Sequence, residues 1–305
     1  MAGVEVTEKL APIEVAQVLT LVANATQADE VSPLSEHVLL HLRHGGDEGD
    51  RHLRVFINGT LVGYAHVDLT DQVEGPSAEL VVSPLHRRRG VGHQLVAALT
   101  ELSPDGRLRL WAHGGHSDAA FLANSHGFDR ARELWQMRRS LFAALPSADL
   151  PAGIQLRCFR PGIDDEAWIA LNAEAFAELP DQGSLGLADL RQRMDEPWFD
   201  ANGFLIAETS DPARSPDLAG FHWTKVHGAE RHGHEAIGEV YVIGVARNWR
   251  GTGLGKALLL AGLAHLRAQG LAEVMLYVDA TNTPAIGLYE SLGFSRWDID
   301  VLFRR

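Results

Sequence analysis

The feature that most restricts what this chain can fold into is an internal duplication. Glu79-Leu-Val-Val-Ser-Pro-Leu-His-Arg-Arg-Arg-Gly-Val-Gly92 is echoed by Val242-Ile-Gly-Val-Ala-Arg-Asn-Trp-Arg-Gly-Thr-Gly-Leu-Gly255, with Arg250 matching Arg87 at an offset of 163. Downstream, Leu110-Trp-Ala and His126-Gly-Phe128 return as Leu276-Tyr-Val and Leu292-Gly-Phe294 at an offset of 166. A period this long is too great for a solenoid and means two copies of one domain. The length of 305 residues agrees with that count. Between the copies, Ala144-Leu-Pro-Ser-Ala-Asp-Leu-Pro-Ala-Gly153 reads as a linker, so the domains are expected at 1–145 and 151–305.

Within the second copy the pattern is mixed. Strands are expected at 154–159, 204–208, 218–225, 239–245, 273–278 and 297–303. Helices are expected at 164–177, 254–269 (closed by Gly270) and 284–292 (ended by Gly293). The order β-α-β-β-β-α-β-α-β points to an α/β domain on a mixed sheet.

Composition narrows the function. Hydrophobic residues at 46% against 22% charged residues exclude a disordered chain. A formal charge of −13 argues against nucleic acid and anionic membranes as partners. No apolar run is long enough for a transmembrane helix, and the first ten residues, with Glu5 and Glu8, do not read as a signal peptide. Cys158 is the only cysteine, so no intramolecular disulfide can form. The expectation is a cytoplasmic protein acting as a monomer.

Arg250-Gly-Thr-Gly-Leu-Gly-Lys256 lies between a strand and a helix. Glycines let the backbone approach a ligand, and the unpaired N–H groups of a helix's first turn attract phosphate. The spacing is neither that of the P-loop nor G-x-G-x-x-G. Arg-x-x-Gly-x-Gly after an apolar strand, then a long helix, a strand, Asn282, a helix with Tyr289 and Gly293-Phe294 resembles the GNAT acetyltransferase superfamily. The first copy matches at Arg87, Gly90, Gly92 and Gly127-Phe128, so the resemblance spans both halves. It implies two tandem GNAT domains, each a mixed, mostly antiparallel central sheet flanked by helices.

The resemblance also implies acetyl-CoA as co-substrate; no metal is expected, because the lone cysteine rules out a Cys-rich site and the histidine clusters read as ordinary loops. Its cofactor residues would be Ile243, Gly244 and Val245 on the strand; Arg250, Gly251, Thr252, Gly253, Leu254, Gly255 and Lys256 in the loop; and Asn282, Thr283, Pro284, Ala285, Ile286 and Gly287. In the first half the counterparts are Leu80, Val81, Val82, Arg87, Arg88, Arg89, Gly90, Val91 and Gly92. The longer motifs Pro33-Leu-Ser-Glu36, Gly220-Phe-His-Trp-Thr-Lys-Val226 and Gly238-Glu-Val-Tyr-Val-Ile-Gly-Val245 look like a tandem branch of the family. Members of that branch acetylate the cysteinyl amine of cysteinyl-glucosaminyl-inositol. By that likeness Glu36, Asp181, Lys225, Glu239 and Tyr277 would touch the substrate, Glu36 being supplied by the first half. Asp181 stands where a Glu is expected.

Acetyl transfer to an amine needs a base, a donor for the thioester carbonyl and a donor for the departing sulfur. Glu239 is the expected base, either with its pKa raised by burial or through a water. The Val245 amide is the expected oxyanion donor and Tyr289 the expected acid. Carried back by the offsets, Glu239 falls on Pro76 and Tyr289 on Ala123, so the first half is expected to be non-catalytic. His227, His232 and His234, like His44 and His52, sit in Gly-rich stretches read as solvent-exposed loops. Two alternatives stay open: a tandem GNAT acting on another small-molecule or protein amine, and a non-catalytic acetyl-CoA-binding module.

Overall fold

The structure, a computed structural model, describes residues 3–71, 73–103, 105–177, 180–209, 218–228 and 236–305, without the side chains of 180 and 181. The chain forms two compact units: residues 1–135 with 298–305, and residues 136–297.

The first unit contains β1 (Val4–Thr7), α1 (Pro12–Asp29), α2 (Glu36–His44), β2 (Asp50–Ile57), β3 (Thr60–Asp68), β4 (Ser77–Val82), α3 (Val91–Glu101), β5 (Arg109–Ala112) and α4 (Ser117–Ser125). β6 (Asp129–Ser140) begins in this unit and ends in the other. The sheet order is β1-β2-β3-β4-β5, and the chain's last residues pair alongside β5, Val301 opposite Ala112 and Phe303 opposite Leu110. Alternation along these strands sorts the two faces. Leu53, Val55, Ala65, Val67 and Ala78 face α3 in one core. The other face receives α1 and α2 through Val18, Val22, Val38, Tyr64 and Val81.

The second unit contains β7 (Ile154–Cys158), α5 (Asp165–Ala175), α6 (Pro180–Gly183), α7 (Leu187–Met194), β8 (Phe204–Thr209), β9 (Leu218–His227), β10 (Ile237–Val245), α8 (Leu254–Ala268), β11 (Glu273–Asp279) and α9 (Thr283–Ser291). β12 (Ser295–Arg304) starts here and finishes in the first unit. The sheet order is β6-β11-β10-β9-β8-β7, antiparallel except for the parallel β10–β11 pair among the registers described here. The expected strands and the three long helices are present with ends shifted by at most two residues. α6 and α7 are additional; a four-residue turn and a strongly polar eight-residue helix give little apolar periodicity to read.

The core of this unit is aromatic. Trp168 of α5 stands edge-on to Phe204, Phe221 and Trp223 at 5.5–5.7 Å, and Phe204 stacks on Trp223 at 4.4 Å. α8 seats Leu254, Leu258, Leu263 and Leu266 against the sheet. It comes so close that a Cβ on Gly220 would lie 2.8 Å from Leu258 Cδ1 and 2.9 Å from the Gly244 carbonyl oxygen.

Candidate active site

The site in the second unit is built where two neighbouring strands part. β10 pairs with β11 only through Gly238–Val240 opposite Val274–Leu276, whereas its pairing with β9 continues to Val245 opposite Gly220. Beyond Val240 the side of β10 toward β11 is therefore open among the described residues. Backbone groups alternate in direction along a strand. The Ala246 N–H donates toward β9, to the Ala219 carbonyl at 2.9 Å, so the Val245 and Ile243 amides face the gap. This is the orientation an oxyanion donor needs.

The glycine loop sits at the end of that gap. Gly251 and Gly253 have φ of +76° and +89°, a region that costs L side chains energy. Gly253 is the N-cap of α8, and no side chain among the described residues caps this end. The first intrahelical bond of this turn runs from Ala257 N–H to the Gly253 carbonyl, so the Leu254, Gly255 and Lys256 amides are left for a ligand. Nothing stands within 4 Å of where a Gly253 Cβ would be, so the approach is unobstructed. An uncapped helix start with glycines in front of it fits a pyrophosphate. Arg250 donates to the Ala175 carbonyl at 3.0 Å. Asn282 N-caps α9, its side chain accepting from the Ala285 N–H at 3.2 Å.

Glu239 is 7% exposed, opposite Lys225 on β9 and Met275 on β11. Its Oε2 lies 2.7 Å from His227 Nε2. Burial would raise the carboxyl, but the hydrogen bond and charge of His227 and the charge of Lys225 outweigh it and hold it below the usual carboxylate range. Of the two ways the sequence left open for this base, the raised pKa is the one the structure does not bear out. His227, read from the sequence as a solvent-exposed loop residue, instead ends β9, half-buried, with its partner across the ladder where spacing along the chain gives no sign of it. His232 and His234 lie outside the described residues.

Lys225 is buried, its Nζ 4.5 Å from the Trp198 ring and 5.1 Å from the Tyr241 ring. The Tyr241 hydroxyl accepts from Arg193 Nε at 2.9 Å. Tyr241 occupies a β-bulge between Val240 and Val242, which turns its ring onto this cluster. Trp198 and Arg193 carry no signal in the sequence, and Tyr241 enters it only as part of the Gly238–Val245 motif. Tyr289 on α9 is 8% exposed and packs edge-on to Phe294 at 5.8 Å. Burial pushes its phenol up to about 12. Among the described residues its hydroxyl has no hydrogen-bond partner. Tyr277 is 42% exposed, its hydroxyl accepting from Gln136 at 2.8 Å. The side chain of Asp181 lies outside the described residues. Glu36 opens α2 of the first unit.

The first unit repeats this geometry with different groups. β4 pairs with β5 only at Ser77–Glu79, and the Ser83 N–H donates to Val62, which leaves the Val82 amide toward the gap. Gly90 caps α3 with φ of +84° and no side-chain cap. A cavity of about 490 Å³ is lined by Val82, Arg87, Gly90, Gly92 and Leu122 among others. Arg87, however, is held by Asp29 in two hydrogen bonds of 2.7 and 2.5 Å. Because β4 has no bulge, the register places Ser77, not Pro76, at the station of Glu239: Ala78 faces Leu110 as Val240 faces Leu276. The constant offset misses by the one residue the bulge adds. Two positions on, Glu79 is a buried carboxylate that the offset passed over. It accepts from the Ser35 N–H at 2.6 Å and lies 3.5 Å from His113, which Glu79 and Asp300 push up to about 10 against the effect of burial. Ala123 stands where α9 has Tyr289, each carbonyl accepting from the Phe that follows the Gly. His52 is buried rather than in a loop, its Nδ1 2.8 Å from the Tyr64 hydroxyl.

Comparison with known proteins bears on the family and the fold. The model of the acetyltransferase (GNAT) family matches residues 19–128 and again 170–294. A mycothiol acetyltransferase of Streptosporangium roseum is 53% identical over 100% of this chain and 99% of its own length. One from Salinispora arenicola is 54% identical, covering 100% of this chain and 97% of its own. Among solved structures, a tandem GNAT protein from the clavulanic acid biosynthesis pathway superposes with a TM-score of 0.73 at 23% identity, covering 99% of this chain and 98% of its own. A GCN5-related N-acetyltransferase from Sphaerobacter thermophilus gives 0.68 at 25%, covering 99% and 95%.

Proposed function

We propose, because the chain belongs to the GNAT acetyltransferase family and matches mycothiol acetyltransferases from end to end, that it acetylates the cysteinyl amine of cysteinyl-glucosaminyl-inositol to give mycothiol and CoA. The observation that carries the reading is the open side of β10 leading to an uncapped, glycine-fronted helix, with Glu239 buried at the other end of the same strand.

Bound acetyl-CoA supplies the acetyl group as a thioester. The Leu254, Gly255 and Lys256 amides, with the dipole of α8, hold its pyrophosphate. The Ile243 and Val245 backbone groups take the pantetheine and carbonyl, and the Val245 N–H donates to the carbonyl oxygen as charge builds on it. Glu239, ionised at neutral pH, takes the proton the amine must lose. A relay through water or His227 suits it better than direct transfer, since its carboxyl is far less basic than an α-amine of reference pKa about 8. Tyr289 is assigned to the departing sulfur as a neutral hydrogen-bond donor. The N–C bond forms as the C–S bond breaks, and the sulfur leaves as a thiolate that accepts the Tyr289 hydrogen bond and takes its proton afterwards from water.

Lys225, Tyr277 and Asp181 are assigned to the acceptor, whose hydroxyls and ammonium suit such groups. The first unit is assigned a non-catalytic role: its loop and cavity suit the same co-substrate, but Ser77 and Ala123 stand in place of Glu239 and Tyr289. Among the described residues no helix is long and apolar enough to cross a membrane. A lone exposed Cys158 suits a reducing compartment, and we place the enzyme in the cytoplasm as a monomer.

The test is CoA-thiol release with cysteinyl-glucosaminyl-inositol beside a panel of other amines. Release with the pseudodisaccharide well above the panel is expected. Release only with a different amine would keep the transferase and discard the substrate; silence with acetyl-CoA bound would discard the transferase.

A further inference from the structure

The α1/α2 face of the first unit's sheet carries a cluster of ionisable groups unrelated to the open strand edge. α2 supplies His41, β2 supplies Asp50 and β3 supplies His66; these side chains are 4%, 1% and 1% exposed. One ligand atom from each can be chosen so that all three lie within 4.8 Å of one another. Asp50 is set in place from several sides. Its Oδ2 accepts from the Asp47 N–H at 2.8 Å and lies 2.8 Å from His41 Nδ1. The Gly45–Gly49 loop wraps this carboxylate so tightly that a Cβ on Gly46 would fall 2.2 Å from Oδ2.

The other carboxylate oxygen is the informative one. Asp50 Oδ1 and His66 Nε2 lie 3.2 Å apart, yet both are buried without a hydrogen-bond partner. The two atoms form a buried ion pair, but one misaligned for a hydrogen bond, so each can turn a lone pair to a third atom once the imidazole is deprotonated. Metal–ligand distances of about 2.0–2.2 Å give a tetrahedral ligand-to-ligand edge of about 3.3–3.5 Å. The pair therefore spans one edge of such a site with almost no adjustment. Two imidazoles and one carboxylate are a donor set for zinc and its borderline neighbours, not for calcium or magnesium.

We infer that His41, Asp50 and His66 form a binding site for one divalent transition-metal ion of the zinc class, with the fourth position left to water. Filling it displaces the proton shared between His41 and Asp50, so uptake releases protons and weakens as pH falls. The ion would tie α2 to the β2–β3 hairpin and fix the helix that Glu36 opens. His52 stays outside the set, its Nδ1 engaged by the Tyr64 hydroxyl and its ring 5.6 Å from that of His66. The sequence hid this site because its ligands are dispersed over three elements, and the expectation of no metal rested on the loop histidines.

The experiment uses the full chain, free of any affinity tag and stripped with EDTA. Titration with Co²⁺ is followed by visible absorption, and thermal unfolding is followed with and without Zn²⁺. One equivalent of Co²⁺ with the intense bands of a tetrahedral ion, and a Tm raised by several degrees with Zn²⁺, is the expected result. His66→Gln should lose both, its Co²⁺ affinity falling by more than the roughly 10–100-fold that loss of an outer-shell partner costs. His44→Gln, an exposed neighbour, should keep both. Should His66→Gln fail to fold, His41→Gln with circular dichroism as the fold check serves in its place. Wild type with neither bands nor a Tm shift overturns the inference. So does a His66→Gln protein that folds and binds Co²⁺ as tightly as wild type.

Discussion

Tyr289→Phe separates two ways a tyrosine can serve a departing sulfur. The phenol sits at about 12, because α9 buries it against Phe294. A CoA thiol has a reference pKa of about 8.5, so handing it a whole proton from the resting phenol is uphill by about 3.5 units, or about 5 kcal/mol. Donation of a hydrogen bond to the developing negative charge carries no such cost and is worth about 1.5–3 kcal/mol. The substitution should therefore lower kcat about 10–150-fold, leave the acetyl-CoA KM nearly unchanged and leave the fold intact, since the hydroxyl has no partner among the described residues. The assay is steady-state CoA release from pH 6 to pH 10. In wild type no alkaline limb should belong to Tyr289 in that range. Unchanged turnover in the variant would refute the assignment. A wild-type limb near pH 9 that vanishes in Tyr289→Phe would refute the burial argument behind it.

Other consequences can be checked independently. Glu239→Gln should cost about 10²–10⁴-fold in kcat, the usual worth of a general base; because the carboxyl is already ionised well below neutrality, the acid limb of wild type should follow the pKa of the amine offered, which a series of amines of graded basicity tests. Gly253→Ala, at φ of +89°, should cost about 1–2 kcal/mol in stability and raise the acetyl-CoA KM, read by calorimetry and kinetics. Trp168→Ala should destabilise by about 3–5 kcal/mol in urea unfolding, since its ring touches Phe204, Phe221 and Trp223 and is fully buried. Arg157 and Arg160 hold Asp164 down to about 2 against the effect of burial, so this carboxylate stabilises the fold above its unfolded value and stops doing so as pH falls through 2. Asp164→Asn should then lower Tm at pH 7, with the difference shrinking toward pH 2.

The sequence reached the site's backbone more easily than its side chains. A glycine loop between a strand and a helix has one economical geometry, and Gly251, Gly253 and Gly90 adopt the left-handed conformation it calls for. Strand and helix periods placed β10, α8 and α9 within two residues. What escaped was set by contacts across the sheet. The Tyr241 bulge shifts the register by one residue and moves the counterpart of Glu239 from Pro76 to Ser77. His227 meets Glu239 only because β9 and β10 run antiparallel. Lys225 between Trp198 and Tyr241 joins three segments far apart in the chain. The last eight residues, read as the close of the second copy, pack in the first unit instead, because Val301 and Phe303 complete its core.

The most direct test of the account is the identity of the product. Wild type and Glu239→Gln are incubated with acetyl-CoA and cysteinyl-glucosaminyl-inositol, and the product is examined by mass spectrometry with thiol labelling. The account predicts a single acetyl group on the cysteinyl nitrogen, a free thiol, and product formation that collapses in the variant. Acetyl found on sulfur, or wild-type rates retained without Glu239, would contradict it.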